Sequence, residues 1–403
     1  MRSDVVALTQ ALVAVPSESR LSNIPVMETL AGGLESSGFR LRRYEQKVVH
    51  PGHGEKVNMV AERGHGPRHL VFSGHLDTVP VGDESLWSHD PLGGDGVVEG
   101  RVYGRGSVDM KGQVAAMVLA CGNAPSDVLS ELTLVLSITG DEEVGHLGIK
   151  SLCAEHVFQD AVGAVVGEPT GLGIVRAHKG GMTVKVCVHG ISCHSSTPHR
   201  GVNAIDQAVR FISRLKEGLK DWTLQRHPAF GDEPPTFTVA RIAGGVADNI
   251  VPDTCEINVS GRALIMEHFE SYRKGILNII AELEEQDAGA GIAPERRFRA
   301  ETEMVKWAPP MICGTDTPWY RLVADFVGQK EPRYATYGTD AGVLAEVGLP
   351  CVVWGHGDID RAHKPAEYVT VRELERGYRS YSEFILRVAA ADLPTVTTTR
   401  WSW

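Results

Sequence analysis

The chain has 403 residues, of which 42% are hydrophobic and 23% charged, a composition typical of soluble globular proteins. Its length favours two domains over one. The formal net charge of −11 argues against a nucleic-acid or anionic-membrane partner, and no continuous apolar segment is long enough to cross a bilayer.

The cysteines and the first residues indicate the compartment. Seven cysteines are scattered along the chain without a C-x-x-C pair, which indicates reduced thiols rather than a disulfide framework. Residues 1–19 lack the uninterrupted apolar core of a signal peptide and predict an amphipathic helix instead. We therefore expect a cytoplasmic protein.

Helical and strand patterns alternate through the first part of the chain. Helices are predicted over 25–38, 110–124 and 148–156, and strands over 39–46, 57–64, 69–74, 132–140 and 161–169. This alternation predicts an α/β fold with a mixed, mostly parallel sheet whose faces are both covered. Functional sites in such folds collect at the carboxyl ends of the strands.

The pattern changes near residue 180. Strands predicted over 182–190, 236–245 and 253–265 are interleaved with helices over 204–219 and 266–286, and the Gly/Ala-rich segment 287–294 resembles a linker. α/β character then returns in segments 317–328 and 350–357 and in a final helix over 372–390. We predict a catalytic domain formed by 1–179 and 293–403, interrupted by an inserted α+β domain at 180–292.

Acidic and histidine residues follow several of the predicted strands. They are His75, Asp77, Asp109, Glu142, Glu143, Glu168 and His363. Each alone has an ordinary structural explanation, such as a helix cap or a solvated acid. Together they offer oxygen and imidazole ligands without thiolate, which is typical of hydrolytic zinc sites.

The number of these residues fits a pair of metal ions. Two divalent ions need one bridging carboxylate and two further ligands each, which leaves an adjacent carboxylate free to act as a base. Asp77 would remain to orient His75, because residues two apart on a strand project to the same side if the strand continues that far.

Eight segments carry a specific resemblance. They are "SGHLDTVP" (73–80), "WSHDPLGG" (87–94), "GRVYGRGSVDMKGQ" (100–113), "TGDEEVGHLGIKSL" (139–152), "VVGEPTG" (165–171), "HKGGMTVKVCVHGISCHSSTP" (178–198), "DNIVPDTCEI" (248–257) and "AHKPAEYV" (362–369). In this order they resemble the family of acetylornithine deacetylase, succinyl-diaminopimelate desuccinylase, aminoacylase and carboxypeptidase G. With "YGTDAG" (337–342), the chain is most similar to the acetylornithine deacetylase branch.

The resemblance implies two Zn²⁺ ions per subunit, with Co²⁺ or Mn²⁺ as alternatives. His75 and Glu168 would complete one site, Glu143 and His363 the other, and Asp109 would bridge them. The resemblance also makes Glu142 the general base and Asp77 the hydrogen-bond partner of His75. It implies a cis Asp109–Met110 peptide bond.

The inserted domain would be a ferredoxin-like lid and dimerisation domain. In this family, the histidine that matches His194 reaches across a homodimer and donates a hydrogen bond to the oxyanion of the tetrahedral intermediate. Asn249 and Arg262 match positions that hold the substrate's α-carboxylate.

Two features near the expected pocket bear on the substrate. His356 lies in "GHG" where many relatives have Gly-Pro-Gly; we expect it to line the pocket, with metal binding as the alternative. Asp340 would either face a cationic substrate amine or cap a loop.

The resemblance implies hydrolysis of the amide bond of a small-molecule N-acyl amino acid, with N-acetylornithine as the first candidate. A desuccinylase, aminoacylase or dipeptidase of the same family is the alternative. A hydrolase of an unusual secondary-metabolite amide and a non-catalytic metal- or peptide-binding relative also stay open.

Overall fold

The structure, a computed structural model, describes residues 2–399, which divide into two compact units. The first unit comprises residues up to His178, Met311–Ala335 and the chain from Thr339 onward, and the second comprises Lys179–Pro310 and Thr336–Gly338. No helix within residues 2–399 is long and apolar enough to span a membrane.

A nine-stranded mixed sheet forms the centre of the first unit. Numbered in chain order, its strands are β1 (Arg40–Glu45), β2 (Val57–Gly64), β3 (Arg68–His75), β6 (Leu132–Thr139), β7 (Ala161–Val166), β8 (Val175–His178), β15 (Met311–Ile312), β16 (Arg333–Ala335) and β17 (Cys351–Val353). Strands β6, β3, β7 and β17 run parallel in the middle, whereas β1, β2 and β15 pair antiparallel. This arrangement confirms the predicted α/β class with a mixed sheet.

Helices cover both faces of this sheet. They are α1 (Arg2–Val13), α2 (Ile24–Ser36), α3 (Gly112–Gly122), α4 (Ser126–Glu131), α5 (Leu147–Ala154), α8 (Pro318–Val327), α9 (Ala341–Glu346) and α10 (Val371–Ala389). Every residue of β6 is buried, as expected of a central strand covered on both sides. A small sheet of β4 (Val97–Val98), β5 (Arg101–Tyr103) and β18 (Tyr368–Thr370) completes the unit.

The parallel strands bring the candidate site together. The carboxyl ends of β3, β6, β7 and β17 share one edge of the sheet, because the four strands run in the same direction. His75 is the last residue of β3 and pairs in register with Thr139, the last residue of β6. The acidic residues Glu142 and Glu143 follow β6, and Glu168 follows β7.

The second unit has its own four-stranded antiparallel sheet, in the order β11, β13, β9, β14. Its elements are β9 (Gly180–His189), β10 (Cys193–His194), α6 (Ala204–Gly218), β11 (Thr236–Gly244), β12 (Ile250–Val251), β13 (Thr254–Ala263), α7 (Met266–Gly289) and β14 (Ala300–Ala308). Leaving aside the two-residue strands β10 and β12, the chain order is β-α-β-β-α-β, which is that of a ferredoxin-like unit.

The second unit extends beyond the boundary expected from the sequence. Residues 293–310 were assigned to the catalytic domain, but β14 pairs with β9 and belongs to the second unit. Part of the expected linker, from Asp287 to Gly289, is the last turn of α7. β14 is an exposed edge strand, so its sequence lacks the apolar alternation that reveals a half-buried strand.

Candidate active site

His75, Asp109 and Glu168 form the first group of possible metal ligands. The Nε2 atom of His75 lies 3.3 Å from Oδ1 of Asp109 and 3.6 Å from Oε1 of Glu168. All three side chains are buried, and their ligand atoms lie within 4.8 Å of one another. Three different segments, at the ends of β3 and β7 and before α3, supply this group.

Asp109, Glu143 and His363 form the second group. The Nε2 atom of His363 lies 3.2 Å from Oδ2 of Asp109 and 3.0 Å from Oε1 of Glu143. Asp109 therefore directs one carboxylate oxygen toward each group, which is the arrangement expected of a bridging ligand. The side chain of His363 is 49% exposed, so this group lies at the open side of the site.

The spacing of these atoms fits bound divalent ions. Tetrahedral ligands at about 2.1 Å from one ion lie about 3.4 Å from each other. The four distances quoted above, between 3.0 and 3.6 Å, fall around that value. The imidazole and carboxylate donors are also the ligand types that hydrolytic zinc sites use.

The electrostatic environment favours positive charge at both groups. Burial alone would lower the pKa of His75, but hydrogen bonds with Asp109, Asp77 and Glu168 raise it well above its ordinary value. Hydrogen bonds to Asp109 and Glu143 raise the pKa of His363 to about 10. Burial raises the pKa of Glu168 to about 7, and the nearby charge of Asp109 adds to that effect. A bound cation would stabilise all of these carboxylates in their ionised form.

Asp77 contacts His75 differently from the sequence expectation. β3 ends at His75, so Asp77 lies beyond the strand, and the ring Nδ1 is 2.9 Å from the backbone carbonyl of Asp77. The Asp77 carboxylate is 3.5 Å from Nδ1 and accepts hydrogen bonds from Ser19 and from the backbone N–H groups of Glu142 and Glu143. Asp77 thus holds both the histidine and the acidic turn.

Glu142 lies in a buried cluster that sequence reasoning missed. Its Oε1 atom is 3.3 Å from Nδ1 of His146, and the same nitrogen is 3.0 Å from Oδ1 of Asp340. Burial raises the pKa of Glu142 well above its ordinary value. His146 follows Glu142 by four residues in "DEEVGH", a spacing that carried no signal by itself.

Asp340 was expected either to face a substrate amine or to cap a loop, but its carboxylate makes buried contacts with Thr139 and His146 and no cap hydrogen bond. The side chain is 2% exposed, and its Oδ2 atom accepts a hydrogen bond of 3.0 Å from Thr139 Oγ1. Both carboxylate oxygens of Asp340 are thus engaged by Thr139 and His146, and His146 in turn contacts Glu142.

The loop that carries Asp109 is fixed by another buried carboxylate. Glu367 accepts hydrogen bonds from the backbone N–H groups of Val108 and Asp109 at 3.2 and 3.3 Å, and it pairs with Arg105 at 2.6 Å. Glu367 and Arg105 lie in the motifs that carry the family resemblance, but their partnership across the chain was not foreseen. The Asp109–Met110 peptide bond is cis, which confirms the expectation.

His356 does not line an open pocket, contrary to the sequence expectation. It is buried, and its backbone N–H and C=O are hydrogen-bonded to the side chain of Gln113. The ring packs directly against Gly377 of α10, and neither ring nitrogen has a hydrogen-bond partner among residues 2–399. It belongs to neither of the two groups of possible metal ligands described above.

The remaining candidates lie in the second unit. Nδ1 of His194 accepts a hydrogen bond of 3.1 Å from the backbone N–H of Ser196, and Asn249 accepts one of 2.9 Å through its backbone carbonyl from Ser195. Arg262 is exposed on β13, and its guanidinium has no hydrogen-bond or ion-pair partner within the described part of the chain.

Comparison with known sequences agrees with this geometry. The sequence model of peptidase family M20/M25/M40 matches residues 71–387. Acetylornithine deacetylase of Myxococcus xanthus is 35% identical over 370 residues, covering 91% of this chain and 92% of that protein. Acetylornithine deacetylase of Edwardsiella ictaluri is 33% identical over 377 residues, covering 91% and 92% of the two chains.

Solved structures share the fold. A metallo-carboxypeptidase of the M20 family from Sulfolobus solfataricus superposes with a TM-score of 0.74 at 18% identity, covering 96% of this chain and all of that one. A dinuclear metal-binding M20 peptidase from Bacillus subtilis has a TM-score of 0.67 at 13% identity, with 96% and 98% coverage. The family predicted from the motifs is thereby confirmed. The chain belongs to peptidase family M20/M25/M40 and is a metallohydrolase that cleaves amide bonds.

Proposed function

We propose that this protein removes the acyl group of an N-acyl amino acid by hydrolysing its amide bond, with N-acetylornithine as the leading substrate. The observation that carries the proposal is the position of the Asp109 carboxylate, which directs one oxygen toward His75 and the other toward His363. This geometry supports a pair of divalent ions, for which Zn²⁺ is the first candidate and Co²⁺ or Mn²⁺ are alternatives.

The proposed ligands divide as the distances suggest. His75 and Glu168 would hold one ion, Glu143 and His363 the other, and Asp109 both. Such a pair of ions would polarise the acyl carbonyl and lower the pKa of water near it. Asp77 and Glu367 would keep the ligands in place through their hydrogen bonds to the His75 ring and to the Asp109 backbone.

Glu142 would be the general base. Its carboxylate would take a proton from the attacking water while the water oxygen bonds to the acyl carbon. When the C–N bond breaks, Glu142 would pass the proton to the departing amine, so that the products are a carboxylic acid and a free amine. Its burial, which raises the pKa of the carboxyl above its ordinary value, supports this exchange, because a more basic carboxylate accepts a proton from water more readily.

His194 would donate a hydrogen bond to the oxyanion in the partner's active site. The backbone N–H of Ser196 donates to Nδ1, so the proton of the neutral ring lies on Nε2, which leaves Nε2 as a donor. This role needs a homodimer formed through the second unit. The exposed edge strand β11, with Ile242 48% exposed, supports such pairing.

Arg262 and Asn249 would bind the substrate's α-carboxylate. The unpaired guanidinium of Arg262 supports this assignment, because its planar fork can bind both oxygens of a carboxylate. N-acetylornithine is preferred because relatives at 33–35% identity carry the name acetylornithine deacetylase. The seven free cysteines support a cytoplasmic location, and the names of these relatives support a role in amino-acid metabolism such as arginine biosynthesis.

Initial rates on three substrates test the proposal. Zinc-loaded protein should hydrolyse N-acetylornithine faster than N-succinyl-diaminopimelate or N-acetylmethionine. Glu142→Gln should lower kcat by about 10²- to 10⁴-fold while two metal ions remain bound. Preference for another of the three would reassign the substrate, and full activity of Glu142→Gln would refute the proposed base.

A further inference from the structure

We propose that His146 and Asp340 are positioning residues that hold the Glu142 carboxylate in its working orientation. The inference rests on the proposed function, in which Glu142 is the general base, and it extends that function to two residues outside the metal-ligand set. It is carried by the contacts, burial and chain positions of these side chains.

The imidazole of His146 lies between two carboxylates. Its Nδ1 atom is 3.0 Å from Oδ1 of Asp340 and 3.3 Å from Oε1 of Glu142, and all three side chains are buried. The shorter contact makes Asp340 the acceptor of the Nδ1–H hydrogen bond. The ring is thereby fixed against Oε1 of Glu142, while Oε2 has no hydrogen-bond partner within residues 2–399 and can face water.

The backbone reinforces this contact. The carbonyl of Glu142 accepts hydrogen bonds from the N–H groups of Gly145 and His146 at 3.1 and 3.2 Å. His146 is the N-cap residue immediately before α5 and has a positive φ of 59°. The backbone of the turn therefore holds His146 next to Glu142, and the His146 ring contacts the Glu142 side chain from that fixed position.

Asp340 anchors this assembly to the sheet. It precedes α9, and its Oδ2 atom accepts a hydrogen bond of 3.0 Å from Thr139, the last residue of β6. Thr139 pairs in register with His75 on the neighbouring strand β3. The chain Thr139–Asp340–His146–Glu142 therefore ties the base to the strand end beside a metal ligand. Such pre-organisation matters, because an error of about 1 Å in the placement of a catalytic group can cost 10²-fold in rate.

The same three ligand atoms also lie close enough together to hold a metal ion. Two features favour hydrogen bonding instead. Both carboxylates approach one ring nitrogen at hydrogen-bond distance, and Asp340 already accepts from Thr139. An ion there would also occupy the oxygen of Glu142 that contacts His146. A third equivalent of metal, lost in His146→Ala, would overturn the inference.

Four variants of the full-length, zinc-loaded enzyme test it. His146→Ala and Asp340→Ala should each lower kcat by about 10- to 100-fold, with KM within about threefold and two metal ions retained. His146→Asn should recover most of the rate, because the asparagine amide places an N–H group where Nδ1 was. The matched control is His50→Ala, since His50 contacts the same turn at the Val144 carbonyl, at 2.7 Å, without contacting Glu142.

These outcomes separate the inference from the proposed function. Wild-type kcat in His146→Ala, an equal loss in His50→Ala, or no recovery in His146→Asn would overturn the positioning role. Retained activity in Glu142→Gln would instead refute the general base.

A spectroscopic measurement decides the geometry independently of any substrate. With ¹⁵N-labelled histidine, the wild type should show an exchange-protected, downfield Nδ1–H resonance that is assigned by its loss in His146→Asn. Asp340→Ala should abolish this resonance, because its acceptor is removed. A His146 resonance that persists unchanged in Asp340→Ala would contradict the inference.

Discussion

The single residue His356 shows how burial changes the pKa of a side chain. Both ring nitrogens are buried without a hydrogen-bond partner among the described residues, and burial lowers the pKa of the imidazole to about 4. In the unfolded chain the pKa is about 6.5, so between these values the unfolded state binds the proton more readily. His356 therefore makes the folded protein less stable as the pH falls through this window.

Replacing His356 by methionine should remove this pH dependence. Wild type should lose about 2 kcal/mol more stability than His356→Met between pH 7.5 and pH 5.0, because about 1.4 kcal/mol is lost per pH unit below 6.5. Urea unfolding of both proteins at the two pH values measures the difference, and acid loss of metal affects both alike. Equal losses in the two proteins would show that His356 does not cause the pH dependence.

The metal ligands could be predicted from the sequence, whereas the supporting residues could not. His75 and Glu168 follow apolar strands, and strand ends of a parallel sheet meet at one edge. His146 and Asp340 are separated by 194 residues, so their contact exists only after folding. His356 was misplaced because local sequence does not reveal which loop residues become buried.

At the scale of elements, a buried ion pair holds the turn after β6. Lys56, just before β2, lies 3.0 Å from Asp141, which precedes Glu142, and both side chains are fully buried. Asp141 also accepts a hydrogen bond from Gln46, and Lys56 donates to the carbonyls of Ser19 and Leu21. The pair therefore connects the acidic turn to the segment between α1 and α2 and to the segment between β1 and β2.

Lys56→Met should destabilise the protein by about 3–5 kcal/mol, because it leaves the charge of Asp141 buried and unpaired. The matched control is Lys47→Met, which removes an exposed ion pair with Glu155 and should cost less than about 1 kcal/mol. Chemical denaturation measures both. Similar losses of unfolding free energy in the two variants would show that the buried ion pair stabilises the protein no more than the exposed one.

The packing of α8 on β7 depends on one glycine. A β-carbon at Gly163 would lie 2.2 Å from the ring of Trp319, whereas a β-carbon at Gly33 in α2 would meet no atom within 4 Å. Gly163→Ala should therefore lower the free energy of unfolding by about 1–3 kcal/mol. Gly33→Ala should raise it by up to about 1 kcal/mol. Thermal unfolding compares the two, and a stable Gly163→Ala would contradict the packing described.

Helices and strands with a strong hydrophobic pattern were predicted well, whereas the exposed strand β14 was missed. β6 and β7 are continuous apolar runs, and α10 has a clear amphipathic pattern with a capping box at Thr370 and Glu373. β14 was missed because six of its nine residues are exposed, so pairing with β9 rather than burial defines it. Because of this pairing, the second unit extends to Pro310 and not to residue 292 as predicted.

At the scale of the whole molecule, the proposed homodimer can be tested directly. Wild type should have twice the chain mass of 43.6 kDa in solution, and Ile242→Glu on the β11 edge should shift it toward the monomer. Leu86→Glu, which changes an apolar residue of the first unit that is 64% exposed, should leave the dimer intact. Light scattering after size exclusion measures the mass, and a monomeric wild type would refute the dimer and the role of His194.

The number of bound metal ions per chain shows whether two divalent ions share Asp109. Elemental analysis of purified, zinc-loaded protein should find two equivalents per chain, one in His75→Ala, one in His363→Ala and none firmly bound in Asp109→Ala. The control Asp95→Ala, which changes an exposed carboxylate beside His89, should keep both. A single equivalent in wild type, or two in Asp109→Ala, would contradict the bridged pair of sites.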